Sequence, residues 1–91
     1  MDLRHLRYFI AVAESGSVAG ASRALNIAQS AVTKSMLELE AELGTTLFER
    51  SSRGMVLTPQ GHRFLASARK VLSAVADATR PPRDEPETLG G

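Results

Sequence analysis

Apolar residues recur along this chain at helical spacing, give way to two short extended runs, and then return to helical spacing. Leu3, Leu6, Phe9, Ile10 and Ala13 form a stripe that predicts a first helix from about Leu3 to Glu14. Asp2 is placed to cap it, and Ser15-Gly16 to end it, because glycine takes the left-handed C-terminal conformation without a Cβ penalty. Ser17 caps a second helix, Val18 to Leu25, with Val18, Ala21 and Leu25 facing inward and Asn26 as a left-handed stop. Val32, Met36, Leu39 and Leu43 then fall at steps of four, three and four. They predict a third helix over about residues 29–42, ending near Leu43 and closed by Gly44. Thr46–Arg50 and Met55–Thr58 read as two short strands around Ser51-Ser52-Arg53-Gly54, with Gly54 suited to positive φ. Thr58 and Pro59 open a last helix that runs to about Thr79, roughly 30 Å. In it Leu65, Ala68, Leu72, Val75 and Thr79 repeat at three-four-three-four, a coiled-coil seam that Phe64, Val71 and Ala78 widen. Pro81-Pro82 stops that helix, and the polar residues after it predict a disordered tail.

The fold these elements predict is mainly α: a three-helix core, a two-stranded β-hairpin and a long C-terminal helix. The expected organisation is a core domain over 1–58, a linker or dimerisation helix over 59–80 and a tail over 81–91. The second and third helices are joined by only a few residues, and Ala19, Gly20, Ala21 and Ser22 are small enough for a neighbouring helix to approach closely. That is the helix-turn-helix arrangement, and the hairpin beyond it is a wing.

The third helix has two faces. Opposite its apolar stripe, Gln29, Ser30, Thr33 and Lys34 gather at the N-terminal end, all of them hydrogen-bond donors and none acidic. A helix with such a tip, preceded by a short helix and a tight turn, suits the DNA major groove. Gln pairs bidentately with adenine, Lys reaches guanine or phosphate, and a Thr methyl touches a thymine methyl. Taken alone, an ordinary amphipathic surface helix has the same pattern. Arg50, Ser51, Ser52 and Arg53 on the wing can meet the backbone or the minor groove, where Arg senses groove width. The plain alternative for Arg53 is a solvated turn residue.

Composition narrows the picture further. The chain has 91 residues, enough for one small domain with a limited core. It has no cysteine, which excludes cysteine zinc sites and disulfides and fits a reducing cytoplasm. No apolar run approaches the roughly 20 residues of a membrane span, and no signal-peptide pattern opens the chain. The net charge is only +1, but it is segregated. Residues 35–49 hold Glu38, Glu40, Glu42 and Glu49 and no base, whereas residues 50–70 hold Arg50, Arg53, Arg63, Arg69 and Lys70 and no acid. One basic face is therefore compatible with a near-neutral total. The three acids of the third helix point in different directions and read as a solvated face or as repulsion from DNA, not as a paired-carboxylate site. His5 and His62 lie in no catalytic or metal motif, so the expectation is a non-enzyme without cofactor or metal. The apolar face of the last helix exceeds what a small domain can cover, which predicts self-association through Phe64, Leu65, Ala68, Val71, Leu72 and Val75.

With these pieces in order, the chain resembles the N-terminal DNA-binding domain of LysR-type transcriptional regulators over about residues 2 to 78. The residues that carry the resemblance are Leu3 to Phe9, Gly16-Ser17, Ala21, Leu25, Gln29 to Lys34, Leu39 to Gly44, Leu47 to Arg50, Arg53-Gly54 and Leu57 to Gly61. The resemblance implies a winged helix-turn-helix, with Gln29, Ser30, Thr33 and Lys34 facing bases and phosphates and Arg53 near the minor groove. It further implies a homodimer formed through the 59–80 helix on an interrupted, A·T-rich palindrome in double-stranded promoter DNA, in the bacterial cytoplasm. The chain departs from the family pattern at Ala28, where serine is frequent, at Ser30, where proline is frequent, at Gly20, and at Leu37, where polar residues are common. The small-molecule effector domain of the family is not present in this chain. The alternative from another class is a protein-interaction module that modulates full-length regulators without specific DNA binding of its own.

Overall fold

The computed structural model describes residues 1–81, so the tail expected over 81–91 lies, apart from Pro81, outside the described residues. Six elements follow one another: α1 Leu3–Ser15, α2 Val18–Leu25, α3 Gln29–Leu43, β1 Phe48–Ser51, β2 Gly54–Leu57 and α4 Pro59–Thr79. This is a winged helix-turn-helix: α1 to α3 form the core, and the antiparallel β1–β2 hairpin forms the wing.

Local chemistry sets most boundaries. The Asp2 side chain accepts the His5 amide and caps α1, and that N–H holds the Asp2 carboxyl below the usual carboxylate range. Gly16 ends α1 at φ 75 and donates its N–H to Val12 O. Ser17 caps α2 by accepting from Gly20 N at 2.9 Å. Asn26 turns left-handed at φ 58, and the Ser22 hydroxyl donates to Ile27 O across the same turn. The helix-turn-helix corner is thus closed from the α2 side, by the Ser22 hydroxyl and the left-handed Asn26. Thr58 caps α4 through Gly61 N at 2.9 Å, with Pro59 in the first turn. By contrast, Ala28 stands at the N-cap of α3 and makes no side-chain cap hydrogen bond.

The core is one cluster. Phe9, Val12, Ala21, Val32 and Leu39 are fully covered, together with Leu6, Met36, Leu47, Phe48 and Ala68. Phe9 is its aromatic centre: its ring lies 5.2 Å from Phe48 and meets Phe64 edge-on at 5.1 Å. On α1 the buried set is Leu6, Phe9 and Val12, while Leu3, Ile10 and Ala13 are only partly buried. Val12 was not in the expected stripe. It is covered because α1 packs against α2 and α3 as well as α4, so a wider arc is enclosed than one stripe describes. Ser35 on α3 is also buried, at 8% exposure.

The strands differ from the expected runs. Residues 46 and 47 stay out of the ladder, and Ser51 and Gly54 enter it as a pair. The reason lies in competing partners. Glu40 takes the amides of Leu47 and Phe48 and the Thr58 hydroxyl donates to Thr46 O, so of the next in-register pair only the Thr58 N to Leu47 O bond remains. The turn is therefore Ser52-Arg53 alone.

The last helix does two things. Its first two thirds fold back onto α1: Phe64, Leu65 and Leu72 pack on the core, and the Arg69 guanidinium donates to Glu14 at 3.1 Å. Beyond the core it projects, and the described residues extend 57 × 26 × 22 Å. No helix among the described residues is long and apolar enough to cross a membrane.

Candidate nucleic-acid interface

The corner after Asn26 aims the first two turns of α3 outward, and Gln29, Ser30, Thr33 and Lys34 are all exposed there. They line two recesses. Gln29 and Thr33 border a cleft of about 320 Å³ shared with Ser17 and Ala19 of α2 and with Arg50 and Gly54 of the wing. Lys34 borders another of about 240 Å³ with Arg4, Tyr8 and Glu38. Arg4 and Tyr8 were missed from the sequence. Their spacing of four put them on one face of α1, but only the α1–α3 packing sets that face beside Lys34.

The wing residues divide into two roles. Arg53 and Ser52 form the exposed tip. Ser51 works inside the turn, its hydroxyl accepting Arg53 N at 3.1 Å and donating to Gly54 O at 3.4 Å. Arg50 pairs in register with Met55, on the same face of the hairpin as Phe48 and Leu57. That face turns toward α3, so Arg50 enters the cleft rather than the tip. The hairpin is held in place close to its turn. Met55 N donates to Gly16 O at 3.0 Å. Gly54 has φ 110, and a Cβ there would stand 2.6 Å from the same Gly16 oxygen. The wing therefore rides on the turn between α1 and α2.

Charge on this surface is sorted by internal pairing. Glu38 Oε1 is 3.0 Å from His5 Nε2, Glu42 pairs with the N-terminal amine, and Glu40 Oε2 accepts Leu47 N at 2.7 Å. The acids of α3, expected to form a solvated or repelling face, are instead each engaged with another part of the chain. Among the described residues, Lys34, Arg50 and Arg53 make no ion pair. The surface between α3 and the wing thus carries unneutralised cations and no free acid from the middle of α3.

Of the six residues expected at a dimer face, Ala68 is buried within the chain at 1% exposure, and Phe64, Leu65 and Leu72 are partly used by its own core. The sequence predicts self-association through all six, yet these four pack inward, because α4 lies against α1 and the core over about two thirds of its length. Val71, 43% exposed, and Val75 remain outside that packing.

Fold and surface together define a winged helix-turn-helix protein whose exposed helix carries donors and cations. Residues 3–62 match the "Bacterial regulatory helix-turn-helix protein, lysR family", and the chain belongs to that family. Among similar proteins, the HTH-type transcriptional regulator TcbR of Pseudomonas sp. (strain P51) is 51% identical over 72 residues, covering 79% of this chain and 24% of the relative. BenM of Acinetobacter baylyi (strain ATCC 33305 / BD413 / ADP1), also an HTH-type transcriptional regulator, is 49% identical over 75 residues, covering 82% of this chain and 25% of the relative. The chain spans about a quarter of the length of these relatives. Among solved structures, the CbnR_DBD–DNA complex matches with TM-score 0.82 and 47% identity, over 86% of this chain and 90% of that one.

Proposed function

We propose that this chain is the sequence-specific DNA-binding part of a bacterial LysR-type transcriptional regulator. It binds, as a homodimer, an A·T-rich interrupted palindrome near a promoter. Residues Gln29, Ser30, Thr33 and Lys34 of α3 read the major groove. Arg50 and the Ser51–Gly54 wing meet the backbone, with Arg53 toward the minor groove. Arg4 and Tyr8 join Lys34 on the phosphate strand beside α1. The observation that carries this reading is the exposed, acid-free N-terminal strip of α3, flanked by Lys34, Arg50 and Arg53, which make no ion pair among the described residues. The similarity to a chain solved with DNA over 86% of this chain supports it. The likeness to transcriptional regulators extends the reading to control of transcription.

Selection of binding sites from a randomised DNA pool at two salt concentrations tests it. The expected result is a dyad-symmetric, A·T-rich consensus whose affinity falls with salt at about −0.9 in log–log slope per neutralised phosphate. On that consensus, Gln29→Ala or Lys34→Ala costs about 1–3 kcal/mol. Retention without a consensus and without salt dependence supports the protein-interaction module instead, which the net charge of +1 favours.

A further inference from the structure

We infer that Leu37 is a specificity-determining residue of α3, placed to receive thymine C5-methyl groups in the major groove. This rests on the DNA-binding reading above and adds an apolar contact to it.

Leu37 is 62% exposed, more than Met1, Val56 or Val71, the other exposed large apolar side chains among the described residues. Its position is what gives that exposure meaning. Ser30, Thr33, Lys34 and Leu37 fall at i, i+3, i+4 and i+7, so they share one face of α3. The same spacing carries the base-contacting side chains on the recognition helix of homeodomains. Leu37 lies about 10 Å along the axis from Ser30, or roughly three base-pair steps.

The surroundings of Leu37 are apolar as well. With Thr33, Met36, Phe48 and Met55 it lines a recess of about 150 Å³ between α3 and the wing. Arg50 stands at the same recess and supplies a cation for the adjacent phosphate. The neighbouring acids are engaged elsewhere: Glu38 is drawn to His5, and Glu40, which borders the same recess, is bound to the amides that lead into β1. An apolar side chain on this strip cannot hydrogen-bond to a base edge. The apolar feature the major groove offers is the thymine methyl, and burying a leucine against it removes both from water.

The test uses the whole chain and the tightest duplex recovered from a randomised pool. Each thymine is replaced singly by deoxyuridine, which removes the methyl and keeps the pairing. The parent is expected to lose affinity about fourfold for each methyl it buries, at thymines related by the dyad. Leu37→Ala is expected to lose the same factor on the unmodified duplex and to be insensitive to deoxyuridine at those positions. Because the side chain is exposed, its thermal melt should match the parent's. A parent indifferent to every deoxyuridine overturns the inference. So does a Leu37→Ala variant that keeps the parent's full deoxyuridine sensitivity, or one that weakens thymine and uracil duplexes equally through a lost sugar contact. Recovery of no preferred duplex overturns the DNA-binding reading itself, and the two failures are thereby distinguished.

Discussion

Single residues set tight tolerances where elements cross. Gly61 is the sharpest case, because a Cβ there would lie 2.1 Å from Leu47 O and 2.9 Å from a Leu57 methyl. The first of these is backbone and cannot swing aside, so α4 must move off the segment that leads into β1. Gly61→Ala is therefore expected to destabilise the fold by about 1–3 kcal/mol despite the better helix propensity of alanine, measured by urea unfolding. Gly20 differs. Its added Cβ would meet Ser15 and Ser17 side chains, at 2.9 and 3.0 Å. The sequence showed Gly61 only as a helical glycine after Thr58-Pro59; the carbonyl beside it belongs to a residue fourteen positions earlier. The same holds for Arg4 and Tyr8, which were plain surface residues until α3 was placed beside them.

At the scale of elements, most of the chain was legible. Stripes at helical period, together with Asp2, Ser17, Asn26, Gly44 and Thr58 at the ends, define α1 to α4 to within a residue or two, because caps act through local backbone geometry. The recognition helix is the exception that invites a test. Ala28 has N-cap dihedrals of φ −68 and ψ 146, but no side-chain acceptor. Ala28→Ser should add a hydrogen bond to the first turn, stabilise the domain by about 1 kcal/mol and raise its melting temperature by about 4–8 °C. Glu40 is the opposite case, an interior position that does the work of a cap for another element. Its carboxylate accepts Leu47 N at 2.7 Å and Phe48 N at 3.3 Å. Glu40→Ala leaves the partly buried amides without that acceptor and is expected to cost about 1–3 kcal/mol. Amide exchange at Leu47 and Phe48 should rise first, and a variant with parental protection there would show the bond to be dispensable. From sequence, Glu40 looked like one of three solvated acids, since nothing local marks a carboxylate whose donors lie seven and eight residues on.

At the scale of the whole molecule, α4 has more apolar surface than the core uses. Phe64 and Ala68 are committed to the chain's own interior, and Val71 and Val75 lie beyond it. If the homodimer proposed above forms through this outer face, Val71→Glu with Val75→Glu should yield a monomer in sedimentation equilibrium with an unchanged melt under monomer conditions. Affinity for a two-half-site duplex should then fall by about 10²–10⁴, the factor that linkage of two sites supplies, while a single half-site is bound as by the parent. An unaltered dimer would move the interface elsewhere.

What the sequence by itself determined is the set of elements, their order and the polar tip of α3, because period, caps and turn residues act within a few positions of the chain. It also marked Gln29, Ser30, Thr33 and Lys34, since their exposure follows from the stripe opposite them. Only the tertiary structure decided which faces meet. It placed Arg50 in the cleft and Ser51 within the turn, tied the wing to Gly16, used the α3 acids internally, and divided the apolar face of α4 between its own core and solvent. Those outcomes depend on hydrogen bonds and packing between residues far apart in sequence, where no local pattern specifies the partner.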